Sequence, residues 1–232
     1  MYIILETNGG YIEVTERVVQ TIRSHYSLVN FIIPSHAYSA GTVLAMSGDD
    51  IYMDYFSRLG PIDPQLPKDD KMVPALGYLI QYERMIEKSK KGILTTAELA
   101  YFVEKCDPAE LYMYEQARQL SITLLKEWLV DYKFKNWIKT ETRGKKVTSA
   151  MKKARASAIA RILNKTEYWH THGRGISINV LREKLKLKIN DFSKKENLNS
   201  KLKDYYNLLT DYMGRRGQMA IIHTRNAYKI IV

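Results

Sequence analysis

The chain has 232 residues, 45% of them hydrophobic and 26% charged. That is length and apolar content enough for one α/β domain with a real core plus a helical extension, and it excludes general disorder. A single cysteine, Cys106, excludes an intrachain disulfide and a cysteine zinc cluster and fits a reducing compartment.

No apolar run approaches the roughly 20 residues of a membrane span. The opening MYIILETNGG lacks the basic and long apolar regions of a signal peptide. The expected location is cytoplasmic, or on a membrane through a segment absent from this chain. The chain opens directly on what reads as a core strand. Either the fold starts abruptly or an upstream part is missing. The net charge of +11 attracts anionic partners. The excess lies mainly in 126–203, including Arg143-Gly144-Lys145-Lys146 and Lys152-Lys153, and residues 1–66 carry none of it. Solvated helix faces and a basic loop account for this distribution, so nucleic acid is not an expected partner. Seventeen Tyr against five Phe favours aromatics that pack while keeping a hydroxyl at a surface.

Residues 2–5 read as a buried strand ending at the turn Asn8-Gly9-Gly10. A helix follows over 12–24, with Val14, Val18, Val19 and Ile22 as its apolar stripe. Val29–Ile33 is a second buried strand stopped by Pro34. Ala40–Ser47 is a short helix ended by Gly48, and Ile51–Met53 a third strand. This alternation predicts a mostly parallel sheet. Beyond Gly60-Pro61-Ile62-Asp63-Pro64 the chain turns helical: Pro74–Ser89, a helix capped by Thr95 with Glu98, and one opened by Asp107, Pro108 and Glu110 that runs to about Trp137. Helices over Ser149–Leu163, Ser177–Leu185 and Asn199–Met213 precede a hairpin around Thr224-Arg225-Asn226. The loop Thr140–Thr148 reads as a mobile linker. The stripe Leu111, Tyr114, Leu120, Leu124, Leu125 and Trp128 reads as helix packing, or as an interface together with Tyr132, Phe134 and Trp137. Three regions result: an α/β core over 1–89, a helical insertion or arm over 90–148, and C-terminal helices with a hairpin over 149–232 that complete the domain.

The loops after the three strands gather on one edge of a parallel sheet, where ligands bind. The second of them places Ser39 where a strand turns into a helix, with small neighbours Ala40 and Gly41. The Ala40 amide, at the helix N-terminus, favours negative charge, as an acyl-transfer oxyanion requires. Gly10 offers a second amide without Cβ obstruction. An ordinary N-cap serine and a tight Gly-Gly turn fit the same residues. The serine also needs a base.

Asn8-Gly9-Gly10, Ala37-Tyr38-Ser39-Ala40-Gly41-Thr42, Asp49-Asp50-Ile51-Tyr52-Met53 and Leu59-Gly60-Pro61-Ile62-Asp63-Pro64-Gln65, in that order, resemble the serine dehydrogenase proteinase family. That family sits in the Clp-protease/crotonase superfamily beside signal peptide peptidase A. The resemblance is close over 3–66 and fainter over 150–190, where Trp169-His170-Thr171-His172-Gly173-Arg174-Gly175-Ile176 looks like a His-containing C-terminal motif. It implies a Clp/crotonase-like α/β fold of repeated ββα units with a helical C-terminal half, Ser39 as nucleophile, and Gly10 and Ala40 amides as oxyanion hole. It further implies homo-oligomers, a polypeptide substrate bound as an added strand, a regulatory protein partner as an option, and no cofactor or metal. The chain departs from the pattern in three ways. Asn8 replaces the usual Pro, a preceding strand–helix unit is lacking, and Asp63 stands where Clp proteolytic subunits carry a His. The lysine of signal peptide peptidases has no clear counterpart, although Lys68, Lys71 and Lys88 flank its place.

The base therefore stays open. His172 suits proton transfer, or is a loop histidine before the Ser177 helix. Asp63 orients a base, is one, or only shapes an Asp-Pro turn. His36 would point away from Ser39 along an extended segment. His170 with His172 lacks a nearby acidic partner for a metal. Two functions lead: a serine peptidase acting on extended or unfolded polypeptide through an acyl-enzyme on Ser39, or a catalytically inactive scaffold of the same fold used for assembly or partner binding. A third reading is nucleic-acid binding through the basic helices.

Overall fold

A computed structural model describes residues 1–63, 65–68, 71–105 and 107–231, with the side chains at 65–68, 71–76, 105 and 166 outside that description. Pro64 and Cys106 thus lie outside the described residues. In chain order the elements are β1 (Tyr2–Ile4), α1 (Ile12–His25), β2 (Asn30–Ile32), β3 (His36–Ala37), α2 (Ala40–Met46), β4 (Asp50–Met53), β5 (Arg58–Leu59), β6 (Gln65–Lys68), β7 (Lys71–Pro74) and α3 (Ala75–Lys90). There follow α4 (Thr96–Lys105), α5 (Pro108–Trp128), α6 (Ser149–Leu163), α7 (Thr166–Trp169), α8 (Ile178–Glu183), β8 (Asn190–Asp191), α9 (Glu196–Arg215), β9 (Ile221–Thr224) and β10 (Ala227–Ile230).

The main sheet is parallel, in the order β1-β2-β4-β8, with Tyr2 paired to Asn30, Asn30 to Asp50 and Tyr52 to Asn190. Every residue of β2 is buried, as expected of a strand covered on both faces. A second row of short strands runs alongside. β3 pairs in parallel with β5, Thr7 bridges Ala37, and Leu59 bridges Ile176 in antiparallel fashion. The ββα unit is complete at β2, β3 and α2, and β4 is likewise followed by the short strand β5. The fold is α/β and Clp/crotonase-like, with helices making up most of its C-terminal half.

The core lies between the sheet and α1, α2, α5 and α6. It holds Phe31, Ile33, Ile51 and Met53 from strands, Val43 and Met46 from α2, Leu124, Leu125 and Leu129 from the α5 region, and Ile159 and Leu163 from α6. The second half of the 90–148 region therefore belongs to the same core as the sheet. On the other face, Leu202 of α9 packs with Ile32, Phe192 and Tyr52. The buried face of α1 is Ile12, Thr15 and Val19, so Val14 and Val18 of the expected stripe face outward. α5 ends at Trp128 and continues as a π-helical turn to Lys133, short of Trp137. α8 stops at Glu183 with no side-chain cap from Ser177. The Thr95 and Glu98 pair closes a reciprocal capping box, and Asp107 caps α5 through the Ala109 N–H. The loop 140–148 is tied by Thr140 N–H to Lys145 O and Val147 N–H to Ile138 O, with Val147 buried. β3, β5, β6, β7, β8 and α7 add to the elements read from sequence.

A buried charged knot joins α1, the start of β4 and the π-helical turn. The Asp49 carboxylate accepts from Arg23 Nη1 at 2.9 Å, from the Val29 N–H at 2.8 Å and from Lys135. The Arg23 guanidinium also donates to Ser47 O and lies 3.7 Å from the Tyr132 ring centroid. Burial alone would raise the Asp49 pKa. The hydrogen bonds from Lys135, Val29 and Arg23 outweigh it and hold the carboxyl below its usual range.

Asp49→Asn leaves Arg23 buried without its counter-charge, at 8% side-chain exposure, and is expected to cost about 3 kcal/mol, or a Tm lower by about 6–12 °C. Because the folded-state pKa is lowered, the Asp49 contribution is complete above the unfolded value near about 4 and is lost as pH falls through the folded one. Thermal melts from pH 7 down to pH 3 check this: the gap between wild type and Asp49→Asn narrows toward acid, and a constant gap contradicts it.

Candidate active site

The short-strand row sets the register of the site. One residue beyond the Ala37 and Leu59 pair stand Tyr38 and Gly60. A Cβ on Gly60 would meet the Tyr38 ring at 2.9 Å. Two residues beyond Thr7 and Ala37 stand Gly9 and Ser39. A Cβ on Gly9 would lie 2.8 Å from Ser39 Cβ and 3.0 Å from Tyr38 O, so only glycine lets these two loops touch. Buried Thr42 locks the loops together. Its Oγ1 accepts from the Gly60 N–H at 2.9 Å and lies in donating range of Ala37 O at 2.7 Å. The sequence reading did not single out Thr42 for this role; its signal was a hydroxyl in the first turn of an otherwise apolar helix.

Ser39 occupies φ 52°, ψ −122°, in the region that favours glycine, and it makes no side-chain cap bond to α2. Its geometry is therefore not that of an N-cap serine, whose backbone is β-like and whose oxygen caps the helix. Holding a non-glycine residue there costs about 1–3 kcal/mol, a strain typical of functional turns. At the start of α2 the N–H groups of Gly41, Thr42 and Val43 donate to Tyr38 O and Ser39 O. Among the described residues the Ala40 and Gly10 amides have no hydrogen-bond partner, and the position a Gly10 Cβ would take opens on empty space.

Asp63 and His172 meet. Leu59 bridges Ile176 in antiparallel fashion, and Asp63 lies four residues beyond the one and His172 four before the other. His172 Nδ1 lies 3.0 Å from Asp63 Oδ1, with Asp63 fully buried and the imidazole 17% exposed. The approach is off the line of a hydrogen bond although the distance is short. The ring thus turns Nδ1 toward the carboxylate. The segment is anchored by Trp169 Nε1, which donates to Ile162 O at 2.8 Å, and by Gly175, which packs on the Arg58 stem. This corrects the expectation that the histidine pair has no acidic partner close by. The partner is far in sequence and adjacent in space. His170 is exposed, with φ 65°, and among the described residues no group of three His, Cys, Asp or Glu is placed to hold a metal.

The remaining candidates are engaged elsewhere. His36 Nε2 lies 2.9 Å from Asn8 Oδ1 and its Nδ1 lies 2.9 Å from Ser35 Oγ, so the ring braces the loop that carries Gly9 and Gly10. Lys88 pairs with Glu98 at 2.5 Å on the helical surface, and the side chains of Lys68 and Lys71 lie outside the described residues. Lys133, absent from the sequence reading, is 3% exposed, and burial pushes its ammonium down to about 8 against the raising effect of Asp50. It contacts Asp49 O and Asp50 at the amino end of β4, whereas Ser39 lies beyond the carboxyl end of β2, so it is no base for Ser39.

The parallel α/β fold with a strained serine on a strand–helix turn places the chain among ClpP-like proteins. The chain belongs to the ClpP-like SDH-type serine proteinase family, whose model matches residues 1–149. Two uncharacterized proteins of Methanocaldococcus jannaschii are each 30% identical to it, over 142 and 139 residues, covering 56% of this chain and 46% and 47% of theirs. The chain thus spans about half the length of the curated relatives it matches. No solved structure matches it. The family match ends before His172, so Asp63 lies inside it and His172 outside.

Gly9→Ala brings a Cβ against Ser39 and places alanine at φ 113°. The expected loss is about 2–4 kcal/mol from strain and overpacking together, read as a lower urea midpoint with an unchanged m-value. A neutral Gly9→Ala contradicts the close approach of these two loops.

Proposed function

We propose that the chain is a serine peptidase that cleaves extended or unfolded polypeptide through an acyl-enzyme on Ser39. The observation that carries this reading is the Ser39 backbone at φ 52°, ψ −122° beside Gly9. It projects the hydroxyl from the start of α2 instead of folding it back as a cap. In this mechanism Ser39 Oγ attacks the scissile carbonyl carbon while its proton passes to His172 Nε2. The carbonyl oxygen, now negative, accepts hydrogen bonds from the Gly10 and Ala40 amides. His172 then gives the proton to the leaving amine, and water repeats the sequence on the ester. Asp63 faces His172 Nδ1 and steadies the imidazolium that forms. The family fold supports a peptide laid as an added strand beside the short-strand row, and homo-oligomers as the working form.

The test is hydrolysis of a denatured, fluorescently quenched casein by purified protein and three variants. Ser39→Ala is expected to lower kcat by about 10⁴-fold or more, and His172→Gln and Asp63→Asn each by about 10³–10⁴-fold, with folding intact by circular dichroism. Loss with Asp63→Asn and full activity with His172→Gln would make Asp63 itself the base. Wild-type protein no faster than Ser39→Ala on any unfolded substrate favours an inactive scaffold of the same fold.

A further inference from the structure

The basic excess of the C-terminal half is unused by the site above, and part of it converges on a hollow. Between α5 and α6 a cavity of ≈ 250 Å³ is lined by Arg118, Lys126, Arg161 and Lys165, with Ser157 and Asn164 and no carboxylate. Four cations around one hollow repel one another, and a bound anion relieves that repulsion. Independently, the Asn164 side chain is 4% exposed, lines this hollow, and has an Oδ1 without a hydrogen-bond partner among the described residues. The buried Arg118 Nε is in the same condition, although the Arg118 Nη1 reaches Glu115 at 3.4 Å. Buried polar atoms are ordinarily paired, so the orphan Asn164 oxygen at this lining points to an occupant.

The hollow opens into a wider cleft of ≈ 590 Å³ that shares Arg118, Asn164 and Lys165. Leu79, Ile80 and Ile93 give that cleft an apolar wall, and Glu83, Glu87 and Glu167 give it negative charge, offset by Arg84, Lys88 and Lys91. A pure polyanion suits the small hollow and is poorly matched to the cleft. A ligand with phosphate at one end, a hydroxyl that donates to Asn164 Oδ1, and a less charged body fits both.

We infer that the α5–α6 hollow and its adjoining cleft form a binding site for a phosphorylated, hydroxyl-bearing small molecule of nucleotide size. The phosphate pairs with Arg118, Lys126, Arg161 and Lys165, the hydroxyl with Asn164, and the organic body lies along Leu79, Ile80 and Ile93. Its lining shares no residue with the Ser39 turn, and its occupancy does not depend on peptidase activity.

Thermal shift and calorimetry with ATP, and with tripolyphosphate as a charged probe lacking the hydroxyl and body, test this. Arg161 and Lys165 are exposed, so Arg161→Ala/Lys165→Ala should fold normally. Lys145→Ala/Lys146→Ala removes the same charge away from the cavity. ATP at a hundredfold excess over its Kd is expected to raise the wild-type Tm by about 5 °C or more. Tripolyphosphate should bind more weakly. The cavity variant should lose about tenfold or more in affinity while the control variant keeps it. Equal loss in both variants means charge screening only and overturns the site, as does the absence of any ATP response. Salt-sensitive binding of poly(U) RNA with no response to ATP also overturns it and assigns the basic face to nucleic acid.

Discussion

Backbone pairing along the row Thr7–Ala37–Leu59–Ile176 fixes the depth to which each of four loops reaches past the sheet. Main-chain pairing permits shifts only in whole residues, and a one-residue slip would turn side chains to the other face. Beyond that row Gly9 meets Ser39 and Asp63 meets His172. Thr42 reinforces the row by joining β3 and β5 through a single hydroxyl held at 0% exposure. The charged knot at Asp49 does the same at the opposite end, where α1, β4 and the π-helical turn meet.

Two kinds of stored cost collect at this edge. Ser39 is held in a backbone region that disfavours side chains, and Asp63 is a carboxylate with no exposure to water. Such features persist only where surrounding packing over-determines them. Here that packing is the buried α2, six of whose seven residues are buried, and the Trp169 anchor behind His172. The contrast with Lys133 is instructive. It too is buried and perturbed, but it sits at the wrong end of β4, so perturbation without position gives it no part in chemistry at Ser39.

The long apolar runs were legible. Val29–Ile33 reads as a buried parallel strand because both faces are covered, Ile51–Met53 as a third strand, and the caps of α4 and α5 follow from Thr95, Glu98 and Asp107. The loops carrying Ser39 and Gly10 were legible too, because four ordered motifs fix their relation to one another. β3, β5 and β8 were not, since two residues carry no period. β6 and β7 contain prolines that argue against strands. The α1 stripe was misread because Val14 and Val18 are apolar yet exposed, while Thr15 is buried. The meeting of Asp63 with His172 depends on the Leu59–Ile176 bridge, a long-range pairing that nothing local in either segment encodes. The family match extends only to residue 149, so it reaches Asp63 and not His172.

The central claim is that the turn at Ser39 presents a nucleophile. Reaction of the folded protein with a fluorophosphonate, followed by intact-mass measurement and peptide mapping, tests it without knowledge of the substrate. The expected result is one adduct per chain, on the peptide containing Ser39, absent after Ser39→Ala. No adduct on the folded protein, or the same adduct after Ser39→Ala, would contradict the account.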